Sequence, residues 1–230
     1  MNNIAVISDI HGNFPALEAV LDDISKNNVS KIICLGDLVG FYCMVNEVID
    51  TIRKLEIKTI TGNHDYAMVF NNGVISRSKT CTFTLQQQLK DISNENLFFL
   101  KNTENNYVFE YEGKKFFCTH GGLINNIDEY LMKPTYEYFE NAHFNYDFLI
   151  TGHTHLPKIL SFENYNYVNS GSVGQPRDKN NKASYLLIKE NEMIIKRVPY
   201  NIEKIALEMK KSGYDDYIAE VLFRGVRIGE

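Results

Sequence analysis

The sequence predicts an α/β fold in which parallel strands joined by helices lead into a strand-rich second half. Three observations predict it. Short β-branched runs at 4–8, 32–35 and 57–61 alternate with helical patterns, the βαβαβ order of parallel strands with right-handed crossovers. Between residues 158 and 199 the apolar runs are short and joined by turns containing Asn, as in a second, mostly antiparallel sheet. Five of the strand-like runs end in Asp, Asn or His, which gathers polar chemistry along the sheet edge where α/β folds bind ligands.

Taken in order, the run at 4–8 reads as a buried strand. Pro15 suits the first turn of a helix that carries Leu17, Val20, Leu21 and Ile24 at helical spacing. A second strand at 32–35 and a loop at 36–44 lead to a helix at 45–55, with Val45, Val48, Ile49 and Ile52 on one face. The third strand is 57–61. Residues 71–77 read as loop. Helices follow at 78–89 and 94–100, the first weakened by Thr80, Thr82 and Thr84. Strands at 106–111 and 115–119 flank Glu112-Gly113, a hairpin turn. A helix at 134–142 and a strand at 148–151 come next. Runs at 158–162, 165–169, 184–189 and 193–199 are assigned to the second sheet. Helices at 202–211 and 216–223 close the chain. Without a repeat or a Pro/Gly/Ser linker, the expectation is one domain spanning 1–230.

A chain of 230 residues can bury a full core, and 44% hydrophobic and 12% aromatic residues are ordinary for a globular protein. The net charge of −5, with Lys and Arg scattered, gives no support to a nucleic-acid backbone as partner. No apolar run reaches membrane-spanning length, so no membrane role is expected. Neither a charged leader nor a signal-peptide core opens the sequence, and the expected location is cytoplasmic. Cys34, Cys43, Cys81 and Cys118 show no C-x-x-C spacing, and Cys34 and Cys118 fall inside strand runs as reduced core residues.

The strand ends carry Asp9 and His11, then Asp37, then Gly62-Asn63-His64-Asp65, then His120, then His153 and His155. Every one of these is an oxygen or imidazole donor. Two divalent ions sharing one carboxylate need about this many ligands, and Asp37 is the natural bridge. The Asn63 carbonyl suits a neutral ligand, which leaves His64 to face a substrate. Of six histidines, five lie in these motifs and only His143 stands apart. A lone histidine is more often a satisfied core residue, but five at strand ends are not explained that way. Asp9 or Asp37 alone reads equally as a cap or turn carboxylate, and Asn63 as a left-handed turn residue. The joint pattern outweighs these separate readings. Asp9 and His11, like His153 and His155, are two apart and diverge only on bent backbone; Gly152 is expected to supply the bend.

Asp9-x-His11, Gly36-Asp37, Gly62-Asn63-His64-Asp65, His120-Gly121 and Gly152-His153-Thr154-His155 together resemble the calcineurin-like metallophosphoesterase superfamily in order and rough spacing. Ser8-Asp9-Ile10-His11-Gly12-Asn13 and Gly171-Ser172-Val173-Gly174-Gln175-Pro176-Arg177-Asp178 resemble its compact bacterial and archaeal phosphodiesterase-like branch. The resemblance implies a four-layer α/β/β/α sandwich of two mixed sheets. It implies one metal on Asp9, His11, Asp37 and His155, and another on Asp37, Asn63, His120 and His153. His64 is left as the catalytic residue. Nitrogen and oxygen ligands without thiolate suit Mn, Fe, Zn, Ni or Co, and four imidazoles make Mg less suitable. Two such ions, two carboxylates and a bridging hydroxide leave the site about +1, attractive to a phosphate despite the acidic chain. The implied activity is hydrolysis of a phosphodiester or phosphoanhydride by hydroxide activated between the metals, with His64 protonating the leaving oxygen or stabilising the charge that develops there. Phe41-Tyr42-Cys43-Met44 and Ser170 depart from the usual pattern, and both are expected near the site mouth.

Three residues carry open readings. Asp65 either orients His64 or is a solvated turn or helix-start carboxylate. Arg177 either grips a substrate phosphate or makes a surface salt bridge. Phe41 and Tyr42 either stack a base or pack on their loop. The expected partner is a small phosphorylated molecule, of nucleotide type such as a dinucleoside polyphosphate. The alternatives are a phosphomonoesterase or protein phosphatase on the same site, and a non-catalytic scaffold, as in the superfamily's retromer subunit. No oligomeric state is implied.

Overall fold

Strand β1 (Asn3–Ile7) is buried along its whole length because apolar layers cover both of its faces. Ile4 and Val6 point to one side, while Ala5 and Ile7 point to the other. The computed structural model that shows this describes residues 3–75, 78–190 and 192–229. Residues 76 and 77, at the end of the expected 71–77 loop, lie outside that set.

Helix α1 (Phe14–Ser25) starts where Asn13 accepts the amide of Ala16 and Pro15 occupies the first turn. It leads to β2 (Val29–Cys34), parallel to β1. Helix α2 (Val45–Lys54) lays Val45, Val48, Ile49 and Ile52 against the sheet, as their spacing predicts. Strand β3 (Lys58–Thr59) is shorter than the expected 57–61 run. Helix α3 (Asn63–Phe70), which the spacing did not indicate, begins inside the Gly-Asn-His-Asp motif. Helices α4 (Lys79–Asp91) and α5 (Asn94–Lys101) are capped by Ser78 and Ser93, whose hydroxyls offset the threonines' weak propensity in the first. Strands β4 (Asn106–Tyr111) and β5 (Lys114–Thr119) form the predicted hairpin. Then come α6 (Tyr136–Asn141), β6 (Phe148–Thr151), β7 (Lys158–Ser161), β8 (Asn166–Asn169), β9 (Ala183–Lys189) and β10 (Glu192–Val198). Helices α7 (Ile202–Lys211) and α8 (Asp216–Arg224) end the order.

The strands form two mixed five-stranded sheets, β10-β9-β1-β2-β3 and β4-β5-β6-β8-β7. One assignment is corrected: β9 and β10 do not join the second sheet. β9 runs antiparallel to β1 and extends the first. Alternating apolar residues fix a strand's faces but not its neighbour, and β9, buried on both faces until Lys189, can sit at the heart of either sheet. Between the sheets, Val6, Ile33 and Leu186 pack against Phe116, Ile150 and Val168. Helices α1 and α2 cover the outer face of the first sheet, and α6 covers that of the second. The four layers bring the carboxyl ends of the parallel strands β1, β2 and β3 to the same side as those of β5, β6 and β8. Among the described residues no helix is long and apolar enough to cross a membrane.

Candidate metal centre

The loops leaving these strands do not follow ordinary backbone geometry. Asp9, His11, Asp37, His153 and His155 all have φ between 54° and 63°. A left-handed non-glycine residue costs on the order of 1–3 kcal/mol, and such strain gathers where side chains must be aimed. The bend between His153 and His155 therefore comes from the histidines themselves, which corrects the role expected of Gly152. That glycine is required for space: a Cβ there would lie 2.0 Å from Ser8 Oγ and 2.6 Å from Asp9 Oδ2.

The side chains so aimed converge. His155 Nε2 is 3.1 Å from His11 Nε2 and 3.2 Å from Asp9 Oδ1. His120 Nε2 is 3.1 Å from Asn63 Oδ1 and 3.3 Å from Asp37 Oδ2. His153 joins Asp37 and His120 in one donor group, while Asp9, His11 and His155 form another. All but Asn63, which is half-buried, are buried. A third group joins His11, Asp37 and His64, with His64 Nε2 3.9 Å from Asp37 Oδ2.

The far sides of the rings explain what the near sides need. His11 Nδ1 meets the Val39 carbonyl at 2.9 Å, His120 Nδ1 that of Leu35 at 2.8 Å, and His155 Nδ1 that of Gln175 at 2.6 Å. A carbonyl only accepts, so each Nδ1 carries the proton and each Nε2 presents a lone pair unless the ring is charged. Lone pairs then face lone pairs and carboxylate oxygens at about 3 Å, which repels unless a cation lies between them. Asp9 Oδ1 and His153 Nε2 are buried without a hydrogen-bond partner, as ligand atoms awaiting an ion would be. The donor set fits divalent metal.

The electrostatics agree. Burial works against the Asp9 anion, yet His155 and His120 hold its carboxyl below the usual range; His120 and His64 do the same for Asp37. Burial lowers His11 and His155, and brings His64 down to about 4 and His153 to about 3, which keeps all four neutral and able to coordinate. Burial also opposes a charge on His120, but Asp37 and Asp9 overcome it and push that ring up to about 10. Without metal, the His120 proton supplies the missing positive charge.

Asp65 is the helix-start carboxylate of its expected readings, in the first turn of α3, but it is not solvated. It is buried, and its Oδ2 accepts the amides of Asp37 at 2.7 Å and Gly62 at 3.1 Å. Its Oδ1 accepts those of Leu38 at 2.9 Å and Val39 at 3.2 Å. Burial and the Asp37 carboxylate push its carboxyl up to about 7, against four amides that favour the anion. It braces the Asp37 loop. The spacing of an acid three residues after a helix cap was the available signal.

Tyr42 offers no stacking face: it is fully buried, and its hydroxyl accepts Gln175 Nε2 at 3.0 Å. Phe41 lines the pocket, but only 4% of it is exposed and its ring is already occupied. It meets His11 edge-on at 4.8 Å and lies 5.6 Å below the Arg177 guanidinium. Ser170 is buried away from the pocket mouth, where Ser184 Oγ donates to its carbonyl. Arg177 lines the pocket, donates Nη1 to the Tyr130 hydroxyl at 3.4 Å and has no carboxylate partner among the described residues. Gln175 Oε1 accepts both Nε at 3.0 Å and Nη2 at 2.5 Å, which fixes the guanidinium plane. Sequence reasoning missed Asp128, Tyr130 and Arg227, which also line this pocket. Tyr130 meets His153 edge-on at 4.9 Å. These three sit in irregular segments without periodicity, so nothing in the sequence marked them.

The chain belongs to the calcineurin-like phosphoesterase superfamily, whose domain matches residues 2–193. That membership makes hydrolysis of phosphoester bonds the coarse assignment. The chain is 37% identical over 241 residues to an uncharacterized protein of Methanocaldococcus jannaschii, covering 96% of this chain and 98% of that one. It is also similar to a metallophosphoesterase from Sphaerobacter thermophilus, with a TM-score of 0.82, 26% identity, and coverage of 98% of this chain and 99% of that one. A hypothetical protein from Pyrococcus horikoshii has the same fold, with a TM-score of 0.89, 23% identity and coverage of 98% and 99%.

Proposed function

We propose that the chain is a two-metal phosphoesterase that cuts a phosphodiester or phosphoanhydride, with a nucleotide-type substrate. The observation that carries this reading is the set of three rings whose Nδ1 protons are committed to carbonyls, with every Nε2 turned onto Asp9, Asp37 or Asn63. Asp9, His11, Asp37 and His155 would hold one ion, and Asp37, Asn63, His120 and His153 the other. Mn, Fe, Zn, Ni or Co suit these donors better than Mg. When bound, such ions polarise phosphoryl oxygens and make water acidic enough to act near neutral pH.

The protein's own groups supply the rest. His64, kept neutral at the pocket wall, donates an N–H hydrogen bond that stabilises the charge developing on the leaving oxygen. Its imidazole ring also lies in a metal-capable group, and metal content of a His64 variant separates the two roles. Arg177, locked by Gln175 and without a carboxylate, is free to pair with a phosphate oxygen. The aromatic face sought at Phe41 and Tyr42 is offered instead by Tyr130, which is 37% exposed at the pocket. The test is turnover by the Mn-loaded protein of an aryl phosphodiester, a dinucleoside tetraphosphate, a phosphomonoester and a phosphopeptide. Higher kcat/KM for the first two supports the reading. Preference for the monoester or phosphopeptide overturns the substrate class, and no turnover of any supports a scaffold.

A further inference from the structure

Residues beyond the family domain build one wall of the pocket. Helices α7 and α8 pack Ile205, Met209, Ile218 and Leu222 against Phe41, Tyr42 and Cys81, beside the metal centre. Helix α8 ends at Gly225, left-handed at φ 62° and ψ 45°, and the chain turns back toward the pocket. There Lys179 donates its amide to the Gly225 carbonyl at 2.8 Å. The fit is close: a Cβ on Gly225 would lie 2.5 Å from the Asn180 backbone. The tail is thus docked on the same loop that carries Arg177, and Arg227 and Ile228 complete the lining.

Arg227 makes no hydrogen bond or ion pair with another described residue. Arg177, Arg227 and Cys81 line the same pocket, which puts two positive charges in its wall. The metal ligands and His64 occupy its floor. A single phosphate held by two ions already has its charge answered, so two further guanidiniums call for further anionic oxygens.

Resting on the phosphoesterase reading, we propose that Arg227, delivered by the C-terminal tail, pairs with Arg177 to form a subsite for a phosphate adjacent to the one attacked. It is a specificity device that favours polyphosphate esters over esters with one phosphate. Arg227 is exposed, so its removal does not threaten the fold.

The test compares Mn-loaded wild type, Arg227→Ala and Arg227→Lys on bis(p-nitrophenyl) phosphate and on a dinucleoside tetraphosphate. Arg227→Ala is expected to lower kcat/KM for the tetraphosphate about 10- to 100-fold, chiefly through KM, and to change the aryl diester less than about 3-fold. Arg227→Lys should recover part of the loss, since it keeps charge without the fork. Equal effects on both substrates, or none on the tetraphosphate, would overturn the subsite. If wild type cuts neither substrate, the diester and anhydride substrate class fails by itself. Calorimetric binding of the tetraphosphate to metal-free protein then decides the subsite: weaker binding by Arg227→Ala upholds it, and unchanged binding rejects it.

Discussion

Asp65→Asn tests the claim that a buried carboxylate holds the Asp37 loop in place. Asparagine keeps the shape but turns one acceptor oxygen into an NH₂ group. Whichever oxygen is replaced, two of the four amides lose their acceptor, and a donor is set against them. A hydrogen bond to a buried charge contributes about 1.5–3 kcal/mol, so the loss is about 3–6 kcal/mol. Solvent cannot soften it, because Asp65 is 1% exposed. For a domain of this size each kcal/mol moves Tm by about 2–4 °C, so a fall of roughly 6–24 °C is expected. Because the Asp37 amide is one of those released, metal affinity should drop as well. Thermal unfolding of metal-free protein and Mn²⁺ titration by calorimetry measure the two effects. Unchanged Tm and affinity, with only kcat reduced, would refute the brace and restore a role through His64.

His64→Ala should keep its metals and lose about 10²–10⁴-fold in kcat, less for a substrate with a good leaving group; metal loss in elemental analysis would make it a ligand. Metal-free protein should be most stable near pH 6.5. His64 and His153 have folded values below their unfolded one, so stability falls as pH drops from about 6.5 toward 4 and 3. His120 is raised, so its contribution is full below about 6.5 and is lost as pH climbs through about 10. Bound metal takes the place of that proton, and denaturant unfolding of loaded protein should show no alkaline decline of this origin. Tyr42→Phe should leave KM for every substrate unchanged while lowering stability by about 1 kcal/mol, from the lost Gln175 bond, as read by urea unfolding. A raised KM would place Tyr42 at the substrate.

Much of the fold was legible because its signals are local. Asn13 and Pro15 mark a helix start, and Val45, Val48, Ile49 and Ile52 mark a face. The ligands were legible for a related reason: Asp and His at strand ends have no packing purpose, so their clustering spoke for chemistry. Pairing of β9 with β1 was not legible, since Ala183 to Ile188 are buried on both faces and carry no preference for a sheet. Helix α3 was hidden because its first turn is held by the Asp65 braces rather than by an apolar stripe. Tyr42 and Arg227 were hidden too. Whether a loop aromatic is covered, or a tail arginine reaches a pocket, depends on α7 and α8 docking from 160 residues away in sequence or more, and no local pattern encodes that.

The central claim is that Asp37 joins two ions in one site. Elemental analysis of protein loaded with Mn²⁺ and then dialysed tests it most directly. Wild type should retain two ions per chain, and Asp37→Ala should lose both along with nearly all phosphodiester hydrolysis. Retention of both ions by Asp37→Ala, or a wild type that never exceeds one, would contradict the account.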